Sequence, residues 1–198
     1  HVQYQDSHRA DGLILLGYGD YTQYRERMEQ LGRQGTHFAR WGSVSSDSSG
    51  VTVGTDNVAA GRLAGEHLIA GGRSRIAFLG HADDHYPEFA GRYRGLVEAL
   101  RRAGLGPDPA LQFDALTTEE EGRSAAQALL DGGARFDAIF AASDLIAIGA
   151  MRALADAGLT VPEDVAVVGF DDIPAASLTT PPLTTVMQDI RGAGQALV

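Results

Sequence analysis

The stretch FAASDLIAIGAMRALADAGLTVPEDVAVVGFDDIPAASLTTPPLTTVMQD, residues 140–189, decides the fold class. It holds two acidic clusters, Ser143-Asp144 and Asp171-Asp172, each directly after a short apolar run. In a parallel α/β sheet such positions are the carboxyl ends of strands, where ligands bind. Between the clusters, Leu145 to Ala157 reads as a helix. The loop Gly158-Leu159-Thr160-Val161-Pro162-Glu163-Asp164 ends that helix at glycine and uses proline to prevent its continuation. Gly104-Leu105-Gly106-Pro107 repeats the device upstream.

Working outward, the alternation is regular. Strands are predicted at Arg75 to Leu79, Leu111 to Phe113, Ala138 to Ala142, Val165 to Phe170 and an extended Leu183 to Val186. Helices are predicted around Gly91 to Ala103 and at Glu119 to Leu130. A further helix runs from Asp56-Asn57, its expected N-cap, to Ala70, where Gly71-Gly72 ends it. Nearer the start, Gly12-Leu13-Ile14-Leu15-Leu16-Gly17 reads as a fully buried strand, and Tyr21 to Gln34 has helical spacing. His37 to Arg40 and Val51 to Gly54 are weaker strand candidates, separated by the serine-rich loop from Ser43 to Gly50. Strands separated by helical stretches imply βαβ units, so the fold class is α/β with a parallel sheet.

Composition narrows the function. At 198 residues the chain can be one large domain or two small lobes. Sixteen basic against 26 acidic residues leave a formal charge of −10, which repels nucleic acid phosphates, so this chain alone is not expected to bind DNA. No apolar run is long enough to span a bilayer and no signal pattern opens the chain, so no membrane partner is expected. The absence of cysteine excludes disulfides and thiolate metal sites and is compatible with the cytoplasm.

The usual chemistry-bearing motifs fail. Gly17-Tyr18-Gly19-Asp20-Tyr21-Thr22 lacks the third glycine of a dinucleotide loop, and neither a phosphate loop nor a nucleophile elbow occurs. His81-Ala82-Asp83-Asp84-His85 offers ligand types for a metal, but a polar loop is the better reading, so no metal or cofactor is expected. Glu119-Glu120-Glu121 suits a helix N-terminus. Asp171 and Asp172 are adjacent, and neighbours on an extended strand point to opposite faces. They cannot flank one scissile bond without a sharp bend, so one carboxylate is read as facing a cleft and one as anchoring structure. No catalytic residue is assigned.

Several ordered segments are more specific. Asp56-Asn57-Val58-Ala59-Ala60-Gly61 precedes His67-Leu68, then Gly71 to Gly80, then Gly91-Arg92-Tyr93-Arg94-Gly95-Leu96. Gly158-Leu159, Val161-Pro162, Val168-Gly169-Phe170-Asp171-Asp172 and Pro182-Leu183-Thr184-Thr185-Val186 follow in order. Over essentially the whole chain this pattern resembles the effector-binding core of the lactose/galactose repressor (LacI/GalR) family of bacterial transcription regulators.

The resemblance implies a two-lobed, periplasmic-binding-protein-like fold with an effector held between the lobes. Residues 1–56 would form a partial N-terminal lobe, 57–188 the C-terminal lobe, and 189–198 the return to the first. The DNA-reading helix-turn-helix would precede residue 1 and is expected to be missing. Function would be effector sensing by a cytoplasmic, homodimeric repressor, not an enzyme, that binds a small carbohydrate or related metabolite. Operator DNA would be reached only through the missing head. A periplasmic sugar-binding protein of a transport system is the competitor, and a glycoside hydrolase using Asp171 a distant third.

Carried over residue by residue, the resemblance places effector-contacting groups at Arg92 and Asp171. Arg92 offers a planar fork of donors, Asp171 accepts, and together they suit a polyol. The alternative for Arg92 is a helix-surface salt bridge with Glu88 or Glu98. Gln188 lies near the expected cleft. Tyr86, Glu88 and Thr117 occupy positions used for selectivity, and Trp41 is a candidate platform for the apolar face of a sugar. Ser143 and Asp144 follow a strand and either face the cleft or cap the next helix. Phe89 and Ala90 stand where the family often carries a further basic residue. Arg92→Ala or Asp171→Ala is expected to abolish effector binding with the fold intact.

Overall fold

The computed structural model describes residues 12–16, 21–43 and 51–198. The glycine motif around Gly17 and most of the serine-rich loop lie outside the described residues. The chain forms two compact units, the first drawn from residues 1–56, 83–88 and 189–198, the second from 57–82 and 89–188. The short segment 83–88, which the sequence reading kept inside 57–188, groups with the first unit.

The first unit carries three parallel strands in the order β1-β2-β3, namely Leu13–Leu16, Phe38–Trp41 and Val51–Val53. Helix α1, Tyr21–Arg33, links the first two. At the chain's other end Ile190–Leu197 forms a helix, here α6, that packs on β2 and β3. The expectation of a fully buried first strand is corrected: burial alternates along β1, with Ile14 51% and Leu16 63% exposed. An apolar run shows only that a strand can be buried on both sides.

The second unit is the larger core. Its five strands, β4 Ile76–Leu79, β5 Gln112–Phe113, β6 Ala138–Ala141, β7 Ala166–Asp171 and β8 Thr184–Met187, are parallel in the order β5-β4-β6-β7-β8. Every residue of β4 and β6 is buried. That requires helices on both faces, and it explains why these strands read as unbroken apolar runs rather than as alternating ones. The helices are α2 Asn57–Ala70, α3 Pro87–Arg102, α4 Glu119–Asp131 and α5 Asp144–Asp156.

Two departures from the predicted boundaries have local causes. Helix α3 starts four residues before Gly91, because Pro87 at its first position is pre-set for a helix and needs no amide partner there. Leu111, expected to open the strand, instead ends a 3-10 turn over Pro109–Leu111, with Asp108 Oδ1 accepting from the Ala110 amide at 3.0 Å. The triple-glutamate run opens α4 as expected, capped by Thr118, whose Oγ1 accepts from the Glu121 amide at 3.1 Å.

Candidate functional site

In the strand order of the second unit the chain turns one way from β4 to β5 and the other way from β6 to β8. The reversal lies between β4 and β6, and ligands of open α/β sheets bind at the carboxyl ends beside such a point. Of the two acidic clusters, Ser143-Asp144 follows β6, and Asp171-Asp172 lies at the end of β7.

Arg92 reaches this edge from α3. Its Nε donates to Asn57 Oδ1 at 2.9 Å and its Nη1 to the carbonyl of Ala142, directly after β6. The guanidinium carbon stands 3.5 Å from the ring centroid of Phe170. Arg92 is only 5% exposed, so it is not a helix-surface residue. Glu98 instead pairs with Arg62 at 3.4 Å, and Glu88 Oε1 accepts from the Ser43 amide at 2.7 Å. Arg92 is built into the core by donors and by its flat face together, a use of guanidinium that lysine could not replace.

Asp171 closes β7 with φ of 114°, and Asp172 follows at 58°. Both lie in the left-handed region that costs energy for a residue with a Cβ, and such strain concentrates at functional sites. The chain therefore makes the sharp bend that the sequence reading left open. Burial raises the Asp171 carboxyl above its ordinary pKa of 3.8; the Arg92 charge and a bond from Gln188 pull it back, and Asp144 repels it. Gln188 Nε2 donates to Asp171 Oδ1 at 2.5 Å. Arg92, Asp171 and Gln188 thus form one electrostatic group.

A third carboxylate, outside the Asp171-Asp172 pair to which the anchoring role was assigned from sequence, is tied into the fold: Asp144, first residue of α5 and fully buried. Its Oδ2 accepts from the Ile173 amide at 2.9 Å and its Oδ1 from Thr185 Oγ1 at 2.6 Å. Burial raises its pKa, the bonds from Thr185, Ile173 and Phe170 oppose that, and the charge of Asp172 adds to it. Gly169 makes room for it, since a Cβ there would run into Asp144 Oδ1. From sequence Asp144, like Ser143, was expected to face the cleft or to cap the next helix. The signal the sequence lacked was the partners, which lie 29 and 41 residues away.

The other named residues are placed differently. Ser143 is buried, and its Oγ accepts from the Ile146 amide at 3.4 Å, the capping alternative. Thr117 is exposed in the loop after β5. Trp41 ends β2, Tyr86 lies in the 83–88 segment and Glu88 in the first turn of α3, and all three belong to the first unit. Among the described residues no group of three or more His, Asp or Glu side chains could hold a metal, and no helix is long and apolar enough to cross a membrane.

Known proteins resemble this arrangement. The family of periplasmic binding protein-like domains matches residues 66–198. The HTH-type transcriptional regulator MalR of Streptomyces coelicolor is 37% identical over 193 residues, covering 94% of this chain and 55% of its own length. The chain therefore spans about half the length of that curated relative. Among solved structures, a LacI-family regulatory protein from Chloroflexus aggregans superposes with a TM-score of 0.88 at 32% identity, over 99% of this chain and 69% of its own. A transcriptional regulator CelR–cellobiose complex gives 0.88 at 33% identity, over 98% of this chain and 59% of its own. Sheet order, strand-end acidic clusters and these likenesses agree, and the chain belongs to the LacI family of transcriptional regulators through its periplasmic-binding-protein-like domain.

Proposed function

We propose that the chain is the effector-sensing part of a bacterial DNA-binding transcriptional regulator, and that it binds a small carbohydrate or related metabolite without transforming it. The observation that carries this reading is the Arg92–Asp171–Gln188 group at the carboxyl edge of the second sheet. It occurs in a chain whose relatives are transcription regulators, one of them solved with cellobiose.

A partly buried carboxylate whose charge is offset by a guanidinium can accept hydrogen bonds from hydroxyl groups, which fits a polyol. In this reading Asp171 accepts from the effector, Gln188 flanks it and Arg92 supplies the counter-charge. Trp41, Tyr86 and Thr117 act in selectivity, each ending a strand or standing in the loop after one. Glu88 and Ser143 serve mainly as ties, to the Ser43 amide and to the first turn of α5.

The two units correspond in this reading to the family's two lobes. The intact regulator acts as a cytoplasmic homodimer that reaches its operator through a separate DNA-binding head. Effector can bias operator binding only by the difference in its affinity for two states of that regulator.

The experiment is a thermal-shift screen of this chain against sugars and nucleosides, followed by calorimetric titration of the hits. A sugar that raises the melting temperature, and whose affinity Asp171→Asn weakens by about tenfold or more, supports the reading. Equal affinities in parent and variant overturn the site.

A further inference from the structure

We propose that Asp144 is a positioning residue: its carboxylate latches the Asp171–Ile173 turn in its left-handed conformation and so holds the Asp171 carboxyl at the effector site. The link to an effector rests on the function proposed above, while the latch itself stands on geometry alone.

The turn leaves β7 through two consecutive residues of positive φ, Asp171 and Asp172, neither of them glycine. Two such conformations persist only where the surroundings over-determine them. What surrounds them is Asp144. One oxygen takes the Ile173 amide, the first backbone donor past the strained pair, at 2.9 Å. The other takes Thr185 Oγ1 at 2.6 Å, and that same hydroxyl oxygen accepts from the Asp172 amide at 3.4 Å. A single carboxylate thus ties α5, the turn and β8 together.

The placement is costly and specific. Asp144 is fully buried, and the strand beneath it carries glycine at 169, where a Cβ would collide with Oδ1. A helix cap needs none of this, and Ser143 already caps α5. An ionised carboxylate only accepts, so it can satisfy both donors at once. An amide in its place must turn one N–H group toward one of them.

Two measurements on the 198-residue chain test the latch. The first is hydrogen exchange of the backbone amides in Asp144→Asn and Thr185→Val. Exchange at 171–173 should accelerate about tenfold or more while β4 and β6 keep their protection. The second is the titration midpoint of the Asp171 carboxyl, followed by carbon-13 NMR in Thr185→Val. This variant keeps the charges of Asp144, Asp172 and Arg92, so a midpoint falling toward the ordinary 3.8 reports a carboxyl that has left its buried position.

Unchanged exchange at 171–173 in the folded variants, exchange that rises equally throughout the second unit, or an Asp171 midpoint equal to the parent's would each overturn the proposal. If Asp144→Asn does not fold, Thr185→Val decides by the same criteria. No sugar enters either measurement. A failed latch therefore leaves the effector reading standing, and a fruitless sugar screen leaves the latch standing.

Discussion

Replacing Arg92 with alanine tests how the site is joined to the core. The truncation removes two charge-assisted bonds, to Asn57 Oδ1 and to the Ala142 carbonyl, each worth about 1.5–3 kcal/mol. It also removes the stack on Phe170, about 2 kcal/mol when desolvated. These contributions share one side chain and do not add in full. Removal further takes away a positive charge that lowers the Asp171 carboxyl's pKa. With the two bonds and the stack overlapping in this way, the loss should come to about 3–5 kcal/mol. At about 2–4 °C per kcal/mol for a chain of this size, the melting temperature should fall by about 6–20 °C. Far-UV circular dichroism melts of parent and variant measure it. The control is Arg123→Ala, whose partner Asp156 is 2.7 Å away across an exposed pair worth about 0–1 kcal/mol. If Arg92→Ala melts within about 2 °C of that control, Arg92 is not a core residue and the reasoning fails. The expectation from sequence that this substitution spares the fold gives way to its burial.

Three further outcomes follow from the same geometry. Gly169→Ala crowds Asp144 Oδ1 and approaches Leu183 Cδ2 at 3.0 Å, so urea denaturation should register about 1–3 kcal/mol of destabilisation; a midpoint equal to the parent's would remove the steric argument. Asp144 and Asp171 both have folded pKa values raised above 3.8, so the native state holds their protons more tightly than the unfolded chain does. Their contribution to stability is present below 3.8 and is lost as pH rises through the raised values, and Asp144→Asn should flatten that slope in melts taken between about pH 4 and 7. Thr118→Ala removes the hydroxyl that caps α4 and should cost about 1 kcal/mol, read by the same denaturation, with no effect on any sugar that binds.

Much of the fold was legible in local pattern. Short apolar runs marked β4, β6 and β7 to within a residue, and the glutamate run at 119–121 and Gly158 bounded α4 and α5. Periodicity and caps depend on neighbours along the chain, which a sequence displays directly. Helix α6 went unmarked because eight residues with two glycines present little periodic signal.

The site divides along the same line. The acidic clusters could be placed at strand ends from their position after apolar runs, and the family resemblance pointed to Arg92 and Asp171. That Asp144 is tied into the fold depended on donors 29 and 41 residues away, and the bend after β7 on two positive φ angles that aspartate does not announce. Whether Arg92 lies on a surface or under a ring depended on Asn57 and Phe170, remote in sequence and adjacent only after folding. By itself the sequence determined the strands, helices and their parallel arrangement, because each is a matter of short-range period and turn chemistry. The assignment of roles among its charged groups belonged to tertiary structure, because burial and hydrogen-bond partners exist only once distant segments meet.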